Sequence, residues 1–155
     1  MTRFTVIVGR VIYLLAWPVS YVYLRSSHRT RVVVSSKDKI LVVKNIIGKN
    51  EWGLPGGGLH KNERSIDGAI RELYEETGIK MAASDLKPIF ENRQVSEDHA
   101  SFYIDGYITN LKRLTVPTPI TKEIAEARWV DQEELLKNYK LQGHARDILE
   151  TLLKR

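Results

Sequence analysis

Three glutamates lie within one turn of a predicted helix. In the run RELYEE, residues 71–76, Glu72, Glu75 and Glu76 are spaced i, i+3 and i+4, so they project from one helix face. Like charges at this spacing destabilise a helix, and the negative end of the helix dipole also disfavours Glu75 and Glu76. A hard divalent cation such as Mg²⁺ would compensate, because it takes oxygen ligands and shares its coordination sphere with substrate phosphates. The spacing therefore predicts metal-dependent phosphate chemistry.

A glycine-rich loop, LPGGG at residues 54–58, precedes this helix. Backbone without side chains can approach a ligand closely and offer it an amide or carbonyl, so Gly57 and Gly58 are candidate substrate-binding positions. Arg71 is four residues before Glu75, and Glu63 is near the helix start. We expect Arg71 and Glu63 to orient the metal-binding carboxylates through charged hydrogen bonds.

The helix that carries the glutamates is predicted over residues 65–77. Its apolar residues recur at i, i+3, i+4 and i+7, which predicts one stripe packed on the core: Ile66, Ala69, Ile70 and Leu73. Gly78 supplies the left-handed residue that ends the helix.

The remaining elements predict one domain over residues 29–155. Patterns of β-branched and apolar residues indicate strands at 30–35, 39–43, 86–91, 101–108 and 127–130, and helices at about 131–138 and 144–153. Residues 52–58 read as a strand end followed by the glycine loop. Mixed strands with helices on both sides predict an α+β fold, an α/β/α sandwich.

The segment 57–79 resembles the Nudix box, G-x5-E-x7-R-E-U-x-E-E-x-G-U with U aliphatic. Every position of the pattern matches: Gly57, Glu63, Arg71, Glu72, Leu73, Glu75, Glu76, Gly78 and Ile79. The resemblance implies the Nudix fold, a mixed sheet between helices. It also implies a Mg²⁺- or Mn²⁺-dependent pyrophosphohydrolase that cleaves a nucleoside diphosphate linked to another moiety by attack of water at phosphorus.

The resemblance further implies roles for individual residues. Glu72, Glu75 and Glu76 would be metal ligands together with the Gly56 carbonyl, and Glu123, before the strand that contains Trp129, would add a further ligand or a general base. Glu126 is the second choice for that ligand, and the identity of the general base stays open. Lys44 resembles a basic residue that faces phosphate. His60 departs from relatives that carry a carboxylate there, and the spacing of the histidines indicates no metal site.

The sequence indicates less about the substrate. The proline typical of members acting on ADP-ribose and the tyrosine typical of members acting on dinucleoside polyphosphates are both missing at residues 93–96. A nucleoside triphosphate or diphosphate is therefore the default small-molecule substrate. A catalytically silent Nudix domain that senses a nucleotide or binds a partner at the membrane is the alternative function. Family members are often dimers, so a homodimer is also open.

An apolar segment at residues 4–24 is the second informative feature. It is 21 residues long with one charge, Arg10, and at 1.5 Å per residue it would extend about 30 Å, the thickness of a bilayer core. We therefore predict a hydrophobic helix before the domain and a membrane-anchor segment over residues 1–28. An in-plane helix, a cleaved signal peptide and packing on the domain or on a partner are the alternatives.

The charge distribution supports the anchor prediction. The chain has 24 basic and 19 acidic residues, and five of the basic ones but none of the acidic ones lie in residues 1–36. The rest of the chain is therefore neutral, which disfavours nucleic acid as a partner. The basic cluster after the apolar segment includes Arg25, Arg29 and Arg31, which predicts that the domain lies at the cytoplasmic face of the membrane. The absence of cysteine agrees with a reducing compartment.

Overall fold

The computed structural model of the chain describes residues 28–97 and 100–153. The predicted hydrophobic helix over residues 4–24 lies outside these residues, as does the predicted anchor except for its last residue, His28. Within the described residues, no helix is both long and apolar enough to cross a membrane.

Three strands precede the first helix along the described chain, and three more strands come before the last two helices. The strands are β1 (His28–Ser36), β2 (Lys39–Asn45), β3 (Trp52–Gly53), β4 (Lys87–Glu97), β5 (Ala100–Asn110) and β6 (Ile124–Asp131). The helices are α1 (Ser65–Thr77), α2 (Gln132–Asn138) and α3 (Gly143–Leu153), with a short 3-10 turn at Ala83–Asp85. Gly78 ends α1 in the left-handed conformation at φ 74°, as predicted.

The strands form a mixed sheet. They follow the order β3-β2-β1-β5-β4, and β6 pairs with β2. β1 and β5 are parallel over eight residue pairs, whereas the other strand pairs are antiparallel. β1 and β2 pair only near their hairpin, at residues 35–36 and 39–40, so the first half of β1 has one edge that β2 does not cover.

Alternate residues of β1 and β2 pack on opposite faces of the sheet. On one face, Val32 and Leu41 pack with Leu73 of α1. On the other face, Val33 and Val42 pack with α3 through residues such as Ile148 and Leu149. Both clusters consist of side chains that are almost fully buried. The predicted α/β/α arrangement of an α+β fold is therefore confirmed.

The structure corrects the extent of three predicted strands. β4 and β5 form a longer antiparallel pair than the predicted segments 86–91 and 101–108, and β6 begins three residues before the predicted start at 127. The added residues include Arg93 and Gln94, which pair with Ile104 and Tyr103. These residues are polar and show no alternation of apolar and polar side chains, so the sequence does not predict a strand there. Pairing with β5 keeps them extended.

Candidate active site

The glycine loop lies along the free edge of β1. Thr30 N–H donates to the Gly57 carbonyl at 2.9 Å, Val32 N–H donates to the Pro55 carbonyl at 2.8 Å, and Leu59 N–H donates to the His28 carbonyl at 3.0 Å. These bonds satisfy the edge of β1 that β2 does not cover. The loop is consequently fixed between the sheet and the start of α1.

Arg71 contacts the carboxylates that it was expected to orient. Its Nε and Nη2 donate to the two oxygens of Glu63, both at 2.9 Å, and its Nη1 donates to Glu72 at 2.8 Å and to Glu75 at 3.3 Å. Nη2 also donates to the Gly58 carbonyl at 3.0 Å. The guanidinium therefore joins the helix to the glycine loop. Its hydrogen bonds lower the pKa of Glu63 to about 2, and Glu63 in turn raises the pKa of Arg71.

Glu72 lies directly against the glycine loop. A Cβ atom on Gly57 would be 2.5 Å from Glu72 Oε1, whereas a Cβ on Gly58 would meet open space. The missing side chain at Gly57 therefore makes room for this carboxylate. The Glu72 side chain is only 16% exposed, which limits its range of positions.

Glu76 is the buried carboxylate of the site. The residue is 9% exposed, and its Oε2 accepts a hydrogen bond from Gly56 N–H at 2.7 Å. Burial raises the pKa of Glu76 to about 8, and the charges of Glu72 and Glu123 act in the same direction, while the Gly56 bond and Arg31 oppose them. The three carboxylates therefore interact electrostatically.

Backbone bonds tie the segment that leads to Glu123 to the last turn of α1. Thr118 N–H donates to the Thr77 carbonyl at 2.8 Å, and Ile120 N–H donates to the Glu75 carbonyl at 2.8 Å. These carbonyls are among those that a helix end leaves without partners. The end of the helix thereby positions the loop that carries Glu123, which is itself exposed.

These elements surround one cleft with a volume of about 910 Å³. Acidic side chains, basic or imidazole side chains and the glycine backbone all line it: Glu63, Glu72, Glu76 and Glu123; His28, Arg29, Arg31 and His60; and Gly56, Gly57 and Gly58. Glu72, Glu76, Glu123 and Gly56 thus share one cleft, as their predicted role as metal ligands requires. Gly57 and Gly58 share it too, as substrate contacts would.

Other predicted site residues lie elsewhere. Glu75 is held by Arg71 and is not among the described residues that line the cleft. Glu126 is in β6, where its Oε1 accepts from Arg128 Nε at 2.7 Å. Lys44 Nζ is 5.3 Å from the centre of the Trp52 ring, so the lysine packs on an aromatic side chain. The structure therefore does not bring Lys44 or Glu126 to the cleft.

The oxygen atoms of the cleft are chemically suited to a divalent cation, although the side chains are not yet arranged around an ion position. Carboxylate and carbonyl oxygens are the ligands that Mg²⁺ and Mn²⁺ prefer, and a cation would relieve the unfavourable charge on buried Glu76. Within the described part of the chain, however, no three histidine, aspartate or glutamate side chains lie close enough together to hold an ion. The residues that would hold it are Glu72, Glu76, Glu123 and the Gly56 carbonyl.

Sequence reasoning missed the basic residues of the cleft. Arg29 and Arg31 were assigned to a cluster facing lipid, but they belong to β1 and line the cleft, and Arg31 is only 6% exposed. The available signal was that residues 30–35 were themselves predicted as a strand. An arginine at position 31 is part of that strand, so it had to be buried or partnered within the domain.

Comparisons with known proteins identify the family and the fold of the chain. A family model of the NUDIX domain matches residues 26–152. The phosphatase NudJ of Shigella boydii serotype 4 is 35% identical over 106 residues, which cover 68% of each protein. The MutT protein of Methanosarcina mazei Go1 has a similar structure, with a TM-score of 0.67 and 20% identity over 83% of this chain and 94% of that one.

A second solved structure has a manganese ion. It is a bifunctional NMN adenylyltransferase/ADP ribose pyrophosphatase from Francisella tularensis, complexed with AMP and Mn, with a TM-score of 0.71, 20% identity and coverage of 99% of this chain and 49% of that one. The chain belongs to the Nudix family and is a hydrolase of the Nudix type. The predicted family, fold and enzyme class are therefore confirmed.

Proposed function

We propose that this enzyme hydrolyses a phosphoric anhydride bond in a nucleoside diphosphate linked to another moiety, with Mg²⁺ or Mn²⁺ as cofactor. The observation that carries the proposal is the cleft itself, where Glu72, Glu76 and Glu123 lie beside Arg29 and Arg31. A polyphosphate needs cations along its oxygens, and oxygen ligands are needed to hold a metal ion beside them. The relative NudJ is named a phosphatase and the structural neighbour an ADP ribose pyrophosphatase, and both names denote hydrolysis of a bond to phosphorus.

The residues of the cleft would have different roles in hydrolysis. A bound divalent ion supplies charge neutralisation to phosphate oxygens and makes water more acidic. Arg29 and Arg31 add fixed positive charge to the cleft, and the backbone of Gly57 and Gly58 can approach a phosphate without steric hindrance. Arg71 fixes the Glu72 carboxylate. The general base is one of the cleft glutamates, and single Glu-to-Gln variants would distinguish among them.

The experiment that tests this function is a substrate screen of the full chain. Nucleoside triphosphates, nucleoside diphosphates, nucleotide sugars, ADP-ribose and dinucleoside polyphosphates are each assayed with Mg²⁺, with Mn²⁺ and with a chelator. We expect metal-dependent release of a phosphate-containing product from at least one class. Glu76→Gln should lower kcat by about 10²-fold or more.

Glu133→Gln is the matched control, since Glu133 is an exposed acid of α2 that pairs with Lys137 at 3.1 Å. It should keep the activity of the unmodified enzyme. Equal activity with and without a divalent ion, or an unchanged Glu76→Gln variant, would overturn the proposal.

We also propose that residues 4–24 anchor the enzyme at the cytoplasmic face of a membrane. The support is the sequence alone, namely 21 predominantly apolar residues directly before the domain. The described residues supply no spanning helix of their own. We expect the basic cluster to add less attraction to anionic lipid than its charge count suggests, because Arg29 and Arg31 line the cleft.

A further inference from the structure

A buried arginine connects the C-terminal helix to the acidic cleft. Arg31 Nε donates to His144 Nε2 at 3.0 Å, and its Nη1 donates to the Gly56 carbonyl at 2.7 Å and to the Thr30 carbonyl at 2.8 Å. A buried guanidinium is costly unless its donors are satisfied. The three acceptors therefore hold Arg31 in one orientation.

The Gly56 peptide is held from both sides. Its carbonyl accepts from Arg31, and its N–H donates to Glu76 Oε2 at 2.7 Å. Gly56 has φ 134°, a conformation that strongly favours glycine, and a Cβ there would clash with the Thr30 carbonyl. The peptide is thus fixed by its neighbours, and the buried carboxylate of Glu76 is fixed through it.

His144 is at the far end of this chain of contacts. It is the second residue of α3, 5% exposed, and it is not among the described residues that line the cleft. Its ring packs edge to face on Phe102, with the centroids 6.0 Å apart. Its Nε2 is the acceptor of the Arg31 bond, so the imidazole offers the guanidinium a neutral nitrogen lone pair at this position.

We propose that His144 is a positioning residue of the metal centre: it fixes Arg31, which fixes the Gly56 peptide and so orients the Glu76 carboxylate towards a divalent cation. The proposal rests on the proposed function only in taking that cation as the ligand. Two other roles make different predictions. His144 and Arg31 would be purely structural if only stability depended on them, and Arg31 would be a competitor if it withheld the Gly56 carbonyl from the metal.

The test measures metal binding directly on the full chain, by titration of free Mn²⁺ with electron paramagnetic resonance. His144→Leu removes the acceptor at similar volume, and we expect it to weaken Mn²⁺ binding about 10- to 100-fold, as for residues that orient metal ligands. His144→Gln keeps a side-chain acceptor and should bind Mn²⁺ within about threefold of the unmodified protein. This rescue separates the hydrogen bond from the packing of the side chain.

Ile148→Ala is the control for lost packing in the same helix. Ile148 is 3% exposed in the core cluster of α3, so the substitution lowers the unfolding midpoint. It should leave Mn²⁺ affinity within about threefold of the unmodified protein. An equal loss of Mn²⁺ affinity in Ile148→Ala and His144→Leu would overturn the proposal in favour of a structural role.

Arg31→Lys provides an independent variant if His144→Leu does not fold. A lysine keeps the charge but lacks the planar fork that reaches His144 and Gly56 together, so Mn²⁺ binding should again weaken at least tenfold. Unchanged binding in either variant would overturn the proposal, and tighter binding would show that Arg31 competes with the metal. An unmodified protein that binds Mn²⁺ but cleaves no phosphoric anhydride would overturn the proposed function alone.

Discussion

Gly57 and Gly58 are adjacent, but only one of them leaves room for a carboxylate. A Cβ at Gly57 would be 2.5 Å from Glu72 Oε1, and a Cβ at Gly58 has no neighbour within 4 Å. Gly57→Ala should therefore displace Glu72 and weaken Mn²⁺ binding by at least about tenfold. Gly58→Ala should change Mn²⁺ affinity by less than about threefold. Mn²⁺ titration of both variants measures the difference, and equal affinities would show that Glu72 is not a ligand in this position.

The pair of Glu63 and Arg71 predicts a pH dependence of stability. The pKa of Glu63 falls from 4.5 to about 2 because Arg71 donates two hydrogen bonds to it. A carboxylate whose pKa is lowered by folding stabilises the fold at pH values above its ordinary pKa of 4.5. This stabilisation is lost as the pH falls towards 2. Glu63→Gln should therefore lower the free energy of unfolding by about 2 kcal/mol at pH 7. The difference between the two proteins should shrink below pH 4.5.

Urea unfolding at pH 7, 4 and 3 measures this effect. A chelator in every sample removes any contribution from metal binding. Asp67→Asn is a suitable comparison, because Asp67 also pairs with an arginine but at an exposed position, with 44% of its side chain accessible. Asp67→Asn should change the free energy of unfolding much less than Glu63→Gln does. A Glu63→Gln deficit that is the same at all three pH values would contradict the prediction.

At the level of residues, the sequence predicted the helix-borne part of the site better than the part on the sheet. Spacing alone placed Glu72 and Glu76 on one helix, because a helix has a fixed period. The same spacing indicated that Arg71 would reach Glu75, which the structure shows, but it could not show that Glu75 is not among the described residues that line the cleft. Arg31 was misassigned because its partners, Gly56 and His144, are 25 and 113 residues away in sequence.

Gly78 ends α1, and the last turn of this helix also holds the segment that leads to Glu123. The glycine is left-handed at φ 74°, and a Cβ there would lie 2.7 Å from the Thr118 carbonyl. Gly78→Ala should therefore destabilise the fold by about 1–3 kcal/mol. It should also shift the segment that leads to Glu123, because Thr118 and Ile120 bind the last turn of the helix.

Urea unfolding and Mn²⁺ titration of the same Gly78→Ala sample measure both effects. We expect the affinity to fall several-fold along with the loss of stability. Lys80→Ala, two residues further on and exposed, should alter neither quantity by much. Loss of stability with unchanged Mn²⁺ affinity would indicate that Glu123 does not contribute to the metal site.

At the level of elements, patterns decided by local chemistry were predicted well. The runs of β-branched residues in β1 and β2, the period of α1 and the glycine that ends it all have local causes. The extent of β4 and β5 and the pairing of β1 with the glycine loop were not predictable in the same way. They depend on which strand edges meet, and sequence periodicity contains no information about pairing partners.

The proposed metal centre depends on both faces of the sheet, because the ligands lie on one face and the proposed positioning residue on the other. Glu72 and Glu76 are on α1, packed on one face, whereas His144 is on α3, packed on the other. β1 lies between them and carries Arg31. Packing of both helices is therefore needed before the cleft takes its shape, and separate helices would not reproduce it.

The predicted anchor is a property of the whole chain and can be tested by vesicle flotation. We expect the full chain to float with phosphatidylcholine vesicles, because about 20 apolar residues suffice to insert into a bilayer. Anionic lipid is not required for this, since two of the basic residues counted as lipid contacts, Arg29 and Arg31, belong to the folded domain. A variant lacking residues 2–24 should stay in the aqueous fraction. Both should show the same kcat on a water-soluble nucleotide, since the shorter variant keeps every described residue that lines the cleft.

Leu14→Asp in the full chain is the matched control for the deletion, because it leaves the chain length unchanged. A carboxylate near the centre of a spanning helix costs about 2.5–3.5 kcal/mol of insertion free energy. It should reduce flotation while leaving kcat unchanged. If the variant without residues 2–24 floats as well as the full chain, the domain rather than the N-terminal segment binds lipid. If the full chain stays in the aqueous fraction, residues 4–24 do not form an anchor, and packing on the domain or on a partner becomes the better interpretation of their apolar character.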